Sequence, residues 1–116
     1  MEERKLALFG RLEGPSVVPV QYVQQCRTWR EAVRLSWALR RVHYMTFAQL
    51  AAEAGLYHQH VSDYLNPDDK PGRRDLPPEK VPAWNAGVGN TLLTQWLAAQ
   101  DHLTVLEEMQ ATRAAA

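Results

Sequence analysis

The amino-acid sequence predicts an all-α fold, and three observations support this prediction. Two short helical patterns occupy residues 46–66 and meet at Gly55. An earlier segment opens with Thr28 and Glu31 at the spacing of a capping box and continues with apolar residues at helical intervals. A third segment, after Asn90, repeats apolar residues at alternating steps of four and three, which is typical of a helix that packs along another helix.

Length and composition indicate a single domain over residues 1–116. A chain of 116 residues can bury one hydrophobic core but not two, and its 46% hydrophobic content favours a packed globule. The single cysteine, Cys26, excludes an internal disulfide, and no apolar run approaches the roughly 20 residues that span a bilayer. Glu2 and Glu3 oppose the positive start that a signal peptide requires. We therefore expect a cytoplasmic protein with no membrane partner.

Residues 1–25 are interpreted as an N-terminal extension. Apolar residues three apart between positions 2 and 12 suggest a short helix, although residues 5–9 would also suit a strand. The valine-rich segment 17–23 follows a Gly-Pro pair, and it either leads into a helix or lies extended across the core.

The helical core is expected to span residues 29–100 and to begin with a helix from Trp29 to Val42. In the predicted capping box, Thr28 accepts a hydrogen bond from the Glu31 N–H, and the Glu31 carboxylate accepts one from the Thr28 N–H. At about 100° per residue, one side of this helix carries the core residues Ala32, Leu35, Leu39 and Val42.

Another side of the same helix carries Arg27, Arg30, Arg34 and Arg41. Two interpretations of these arginines remain open. They form a solvated face, which is the usual position of charges on a helix, or a row whose guanidinium groups bind phosphates. The second interpretation makes Arg30, Arg34 and Arg41 candidate phosphate contacts, because their helix precedes the helix pair at residues 46–66.

The pattern at residues 46–66 predicts two short helices that cross through a tight turn, which limits the size of the residues at the crossing. Ala51 is small where the helices meet, and Gly55 ends the first helix, where a left-handed backbone conformation favours glycine. The apolar contacts are expected from Leu50, Leu56, Val61 and Leu65. The outward side of the second helix is left with His58, Gln59, Ser62 and Asp63.

Leu50-Ala51, Gly55-Leu56 and Val61-Ser62, at their relative spacing, resemble the helix-turn-helix of phage repressor and Cro regulators. The resemblance covers about a fifth of the chain at motif strength, and it implies a small five-helix-type bundle like that of λ repressor. It also implies DNA binding and a phage or mobile-element origin. The sequence departs from the family at Tyr57, where a serine or threonine commonly caps the second helix. A tight pair of core helices without DNA contact is the alternative interpretation.

The remaining chain predicts one loop and two further helical segments. Residues 66–78 contain four prolines and a glycine and are expected to form a loop. A short helix from about Pro78 to Ala86 follows, and it closes at residues 87–89. Asn90 or Thr91 caps the next helix, which no proline or glycine interrupts before the chain end, although Asp101 also suits a second helix start.

The last segment suggests self-association. Its apolar residues at four-three spacing are Leu92, Trp96, Ala99, Leu103 and Leu106. These residues either fold back on the core of the same domain or pair with a second copy. For Leu92 to Leu97 both roles remain open. We expect residues 101–116 to form a C-terminal dimerisation helix through Leu103, Leu106 and Met109, because helix-turn-helix proteins commonly bind two half-sites as dimers.

The charge distribution and the lack of catalytic motifs limit the functions that the sequence supports. The chain balances 13 basic against 13 acidic residues, which opposes DNA binding, but residues 27–43 contain five arginines and one acidic residue. The histidines and Cys26 lack metal-ligand spacing, and the serines lack a nucleophile motif. We therefore expect no enzyme activity, cofactor, metal or small-molecule substrate.

The sequence as a whole predicts a homodimeric, sequence-specific transcriptional regulator that binds double-stranded DNA. Gln59 is the best single candidate for base contact, because its amide can pair with adenine N6 and N7, and Asp63 suits cytosine N4. His58 and Ser62 would add base or phosphate contacts, with Arg73 and Arg74 at phosphates. The alternative is a protein-interaction module anchored by tryptophan, for which the candidates are Trp29, Trp37, Trp84 and Trp96.

Overall fold

The computed structural model describes residues 14–68, 70–101 and 105–115. Within these ranges the fold is all-α, as predicted. The short helix or strand that was expected between residues 2 and 12 lies outside the described residues. A 3-10 turn, Pro78–Lys80, precedes the fifth helix. The described residues form seven α-helices: α1 Val20–Gln24, α2 Trp29–Ala38, α3 Phe47–Ala54, α4 His58–Leu65, α5 Val81–Val88, α6 Leu92–Gln100 and α7 Val105–Ala115.

The capping box at the start of α2 is confirmed. Thr28 Oγ1 accepts from the Glu31 amide at 3.2 Å, and Glu31 Oε1 accepts from the Thr28 amide at 3.2 Å. The predicted end at Val42 is wrong, because α2 stops at Ala38. Beyond it, the Arg41 amide donates to Val88 O at 2.8 Å, so the chain bonds to the end of α5 instead of continuing its own helix.

Helices α3 and α4 form the pair expected at residues 46–66, joined by three residues. Thr46 and Gln49 form a second capping box at the start of α3. Gly55 has φ +69°, which confirms the predicted left-handed end of this helix. Tyr57 precedes α4 and makes no side-chain capping bond, so the departure seen in the sequence has a structural counterpart.

The core lies between α2, α3, α5 and α6. Helix α3 packs on both α4 and α5, and α2 packs on α4 and α6. Trp84 is fully buried at the centre, where its indole N–H donates to Ser36 Oγ at 2.9 Å. The side-chain amide of Asn90 makes two hydrogen bonds. Its Nδ2 donates to Ser36 O at 3.0 Å, and its Oδ1 accepts from the backbone N–H of Leu92 at 3.1 Å, so Asn90 joins the end of α2 to the start of α6.

The second half of the chain refines the predicted elements. The helix expected from Pro78 to Ala86 is divided into the 3-10 turn and α5. Helix α6 ends at Gln100, close to the second start expected at Asp101. None of the helices in the described ranges combines the length and the apolar character that crossing a bilayer requires.

Residues of the four-three pattern divide between the core and the C-terminal helix. Leu92 and Trp96 are buried in the core, whereas Ala99 is exposed. Leu103 lies outside the described residues, Leu106 belongs to α7, and Met109 is exposed. The core interpretation is therefore correct for the start of α6.

Candidate nucleic-acid interface

Helix α4 has one buried side and one exposed polar side. Val61, Tyr64 and Leu65 are buried against the core. His58, Gln59 and Ser62 are exposed, as the sequence predicted, and they share a sector of about 100° on the helix surface. The Gln59 and Ser62 side chains have no hydrogen-bond partner in the part of the chain that the structure describes, so both are available to an external ligand.

Asp63 lies at the edge of this exposed side and has partners inside the chain. Its Oδ1 is 3.3 Å from Arg73 Nη1, and its Oδ2 is 3.1 Å from Arg74 Nη1. Desolvation acts to raise the pKa of the Asp63 carboxyl, but the hydrogen bonds and the positive charges of Arg74 and Arg73 together outweigh it and hold this pKa below its ordinary value. The predicted contact with cytosine would have to share this carboxylate with the two guanidinium groups.

Arg30 is tied to the carboxyl end of α4 by backbone acceptors. Its Nη2 donates to Asp63 O at 2.7 Å and to Asn66 O at 2.9 Å, and its Nη1 donates to Arg74 O at 2.8 Å. Nη1 also pairs with Asp75 at 3.1 Å, and only 12% of the Arg30 side chain is exposed. Carbonyl groups at the end of a helix lack intrahelical donors, so Arg30 satisfies them and fixes the following loop.

The five arginines predicted to bind phosphate do not form one row. Arg34 also reaches Asn66 O, at 3.4 Å, so it joins Arg30 at the end of α4. Arg41 lies elsewhere, where its Nη2 donates to Gly14 O at 2.8 Å and to Gly89 O at 3.2 Å. Arg73 and Arg74 meet at Asp63, and 56% of the Arg74 side chain is exposed. Of the five, Arg74 is best placed to contact a ligand.

One group beside α4 was missed by the sequence analysis. The Arg40 guanidinium lies 4.1 Å from the Trp37 ring centroid, and Trp37 packs against Phe47 in a T-shaped arrangement at 5.2 Å. Phe47 in turn lies 6.3 Å from the His58 ring. The spacing of three between Trp37 and Arg40 was a local signal for the first contact, whereas Phe47 and His58 meet only because α3 and α4 fold together.

Two of the tryptophans proposed as protein-interaction anchors are core residues. Trp84 is buried, and Trp96 is buried with its indole donating to Cys26 O at 3.0 Å. Trp29 is half-buried and donates to Leu76 O at 3.0 Å, which ties the long loop to α2. Trp84 and Trp96 are therefore not available as anchors.

Metal and nucleophile chemistry find little support in the described ranges. They contain no group of three or more histidine, cysteine or acidic side chains placed to hold a metal ion. Burial, followed by the charge of Glu31, raises the pKa of the Cys26 thiol despite the opposing charge of Arg34. A raised pKa lowers the thiolate fraction at neutral pH and makes this cysteine a poor nucleophile.

Comparison of the chain with family models, with curated proteins and with solved structures found no match. Support for any function therefore comes from the residues of α4, the loop that follows it and their surroundings.

Proposed function

We propose that this protein is a sequence-specific DNA-binding transcriptional regulator that inserts the exposed side of α4 into the major groove. The observation that carries the proposal is the exposed polar side of α4, where Gln59 and Ser62 have no hydrogen-bond partner in the described chain, beside a loop that presents Arg74. A helix fits the major groove and can contact base edges there. Gln59 is assigned to adenine, and His58 and Ser62 are assigned to neighbouring base or phosphate contacts.

The arginines divide into two roles in this proposal. Arg74 donates one hydrogen bond to Asp63 and keeps further N–H groups for a DNA phosphate, with Arg73 beside it. Arg30 and Arg34 act indirectly, because their bonds to backbone carbonyls hold the loop and the end of α4 in place. Arg41 supports the core at Gly89 and is no longer proposed as a phosphate contact.

A homodimer completes the proposal. Every side chain from Glu107 to Ala115 is exposed in the single chain, which leaves α7 available to a second copy. We assign Leu103, Leu106 and Met109 to this contact, since two recognition helices are needed for two half-sites. The resemblance of the helix pair to phage repressors is the basis for proposing a phage or mobile-element origin and a cytoplasmic location.

Selection of bound fragments from random duplex DNA tests the proposal directly. Once a preferred site is known, Gln59→Ala should weaken binding to it by about 1 to 3 kcal/mol and relax the preference at one base pair. Gln24→Ala is the matched control, because Gln24 is an exposed glutamine on α1. Failure to enrich any sequence, or equal affinity of the Gln59 and Gln24 variants, would reject the assignment of α4.

A protein-interaction module is the second candidate function. It is favoured by the zero formal net charge and by Tyr44 and Tyr57, two largely exposed aromatic residues of a type enriched at interfaces. The dependence of binding affinity on salt concentration distinguishes these two proposed functions. Affinity for DNA falls steeply with ionic strength because phosphate contacts release counterions, whereas an apolar protein interface responds weakly.

A further inference from the structure

A cavity of about 570 Å³ opens beside the first turn of α4, away from the proposed base contacts. Its wall is formed by the turn between α3 and α4, by one side of α4 and by the 3-10 turn, and it includes Tyr57, His60, Tyr64, Pro77 and Lys80. The volume lies in the range of small-molecule sites, which are mostly apolar with a few polar groups.

Tyr57 gives this cavity an aromatic wall. Its side chain does not cap α4, and 74% of the residue is exposed. The ring stands edge-on to His60, with the centroids 5.1 Å apart. A serine or threonine at this position would stabilise α4 by capping it. Tyr57 makes no such capping bond, and its exposed ring face is suited to a planar ligand.

Tyr64 contributes a hydroxyl that has no hydrogen-bond partner within the described chain. The residue is only 3% exposed and packs between His60 and Trp84, and its hydroxyl makes no hydrogen bond with any described residue. The hydroxyl oxygen keeps contact with solvent, so it can donate to a ligand in the cavity. Burial, with a smaller effect of Asp63, raises the pKa of this phenol against the opposing charge of Arg74, so the hydroxyl remains a hydrogen-bond donor at neutral pH.

Lys80 sets the charge of the cavity. Its Nζ donates to Gly55 O at 3.3 Å, which leaves two of the three ammonium hydrogens for a ligand. No carboxylate belongs to the described wall of the cavity. An ammonium group without a carboxylate partner favours an anion.

We propose that this cavity binds a small aromatic carboxylate. The ligand ring lies against Tyr57 and His60, and its carboxylate accepts hydrogen bonds from Lys80 and Tyr64. This combination of one aromatic wall, one ammonium and one hydroxyl without a partner in the described chain recognises both the ring and the charge.

Titration of the full chain with sodium benzoate, followed by two-dimensional NMR without DNA, tests the proposal independently of any nucleic-acid function. Benzoate should shift resonances of Gly55, Tyr57, His60, Tyr64 and Lys80. Benzamide, which keeps the ring without the charge, and acetate, which keeps the charge without the ring, should each bind at least tenfold more weakly.

Three variants locate the binding. Lys80→Met should weaken benzoate binding about tenfold, and Tyr64→Phe should weaken it severalfold while leaving the fold intact, because the lost hydroxyl has no partner in the described chain. Lys70→Met, at an exposed lysine of the loop, is the control and should bind as the parent does. Absence of benzoate binding, shifts confined to other residues, or full binding by Lys80→Met and Tyr64→Phe would each overturn the proposal.

Discussion

Two polar networks hold opposite ends of α2, and they differ in their surroundings. Near its carboxyl end, Ser36, Trp84 and Asn90 form a buried network of neutral groups. Near its amino end, Arg30 reaches the loop where Asp63 joins Arg73 and Arg74, all charged and partly exposed. The first network has no water to replace a lost partner, whereas the second can exchange one partner for another.

This difference separates folding from binding along a single helix. A buried polar group that loses its partner retains the full cost of desolvation, so the interior network tolerates little change. Exposed charges are screened by water and salt, and an ion pair there contributes less to stability. If Arg74 contacts a phosphate as proposed, the exposed network can give up its Asp63 contact without loss of the fold.

The largest effect is expected from the interior network. Asn90→Ala removes the donor to Ser36 O and the acceptor of the Leu92 amide, and it should lower the free energy of unfolding by about 3 kcal/mol. Denaturant unfolding measures this value. Ser36→Ala, which removes the hydroxyl that accepts from Trp84 and donates to Val33 O within α2, should cost less, about 1 to 2 kcal/mol. A loss below 1 kcal/mol for Asn90→Ala would show that the interior network is dispensable.

Two glycines extend the contrast between the interior network and the surroundings of α4. Gly89 precedes Asn90 of the interior network, and Gly55 lies in the turn before α4. Gly89 has φ +85°, and an added Cβ would lie 2.8 Å from Arg41 Cβ. Gly55 has φ +69°, but its nearest neighbour, Lys80 Nζ, would be 3.8 Å away. Gly89→Ala combines backbone strain with crowding and should cost about 2 to 3 kcal/mol, whereas Gly55→Ala should cost about 1 kcal/mol from the backbone alone.

Thermal or denaturant unfolding of the two glycine variants checks their order. Gly55→Asn serves as the control, because asparagine tolerates the left-handed conformation better than alanine and should recover part of the loss. No described side chain crowds an added Cβ at Gly55, so the size limit predicted for the α3–α4 crossing does not apply at this glycine. Equal costs at Gly55 and Gly89 would mean that Arg41 moves away freely.

The glycines and caps also show which features the sequence could predict. The Thr28 capping box, the left-handed Gly55 and the exposed side of α4 depend on residues within a few positions of each other, and all three were predicted correctly. The partners of Arg30 lie more than 30 residues away, and Asn90 lies 54 residues beyond Ser36. Helical spacing placed Arg30 on a polar side but carried no information on which carbonyls α4 and its loop would bring to it.

The end of α2 and the cavity beside α4 were unpredictable for the same reason. Val42 continues the apolar spacing of α2, but the Arg41 amide bonds to Val88, which only the folded chain brings near. The cavity needs the 3-10 turn to approach the start of α4, and no local pattern encodes that approach.

A change at Asp63 tests the exposed network through pH. The pKa of this carboxyl is lowered in the folded chain, so its pairing with Arg73 and Arg74 stabilises the fold above the ordinary aspartate pKa of about 4. That contribution is lost as pH falls from about 4 through the lower folded value. Asp63→Asn should remove this part of the pH dependence, which unfolding measurements between about pH 5 and pH 2 would detect.

The same Asp63→Asn variant should bind DNA more tightly at neutral pH, because Arg73 and Arg74 no longer face a competing carboxylate. Asp101→Asn, at an exposed carboxylate beyond α6, is the control for the change in net charge. Equal gains in affinity from both variants would assign the effect to net charge alone and remove Asp63 from the proposed interface.

The smallest effect on stability and the most specific effect on binding are expected at Arg74. Its side chain is more than half exposed, and Asp63 keeps Arg73 as a partner when Arg74 is removed. Arg74→Ala should therefore change the free energy of unfolding by less than about 0.5 kcal/mol.

If Arg74 contacts a phosphate, the same variant should weaken binding to all DNA sequences alike. The slope of log affinity against log salt should then fall by about one. Arg27→Ala, at an exposed arginine that precedes α2, controls for the lost charge and should keep the parent slope. An unchanged slope in Arg74→Ala would mean that the exposed network has a purely structural role. The networks at the two ends of α2 would then differ in burial but not in function.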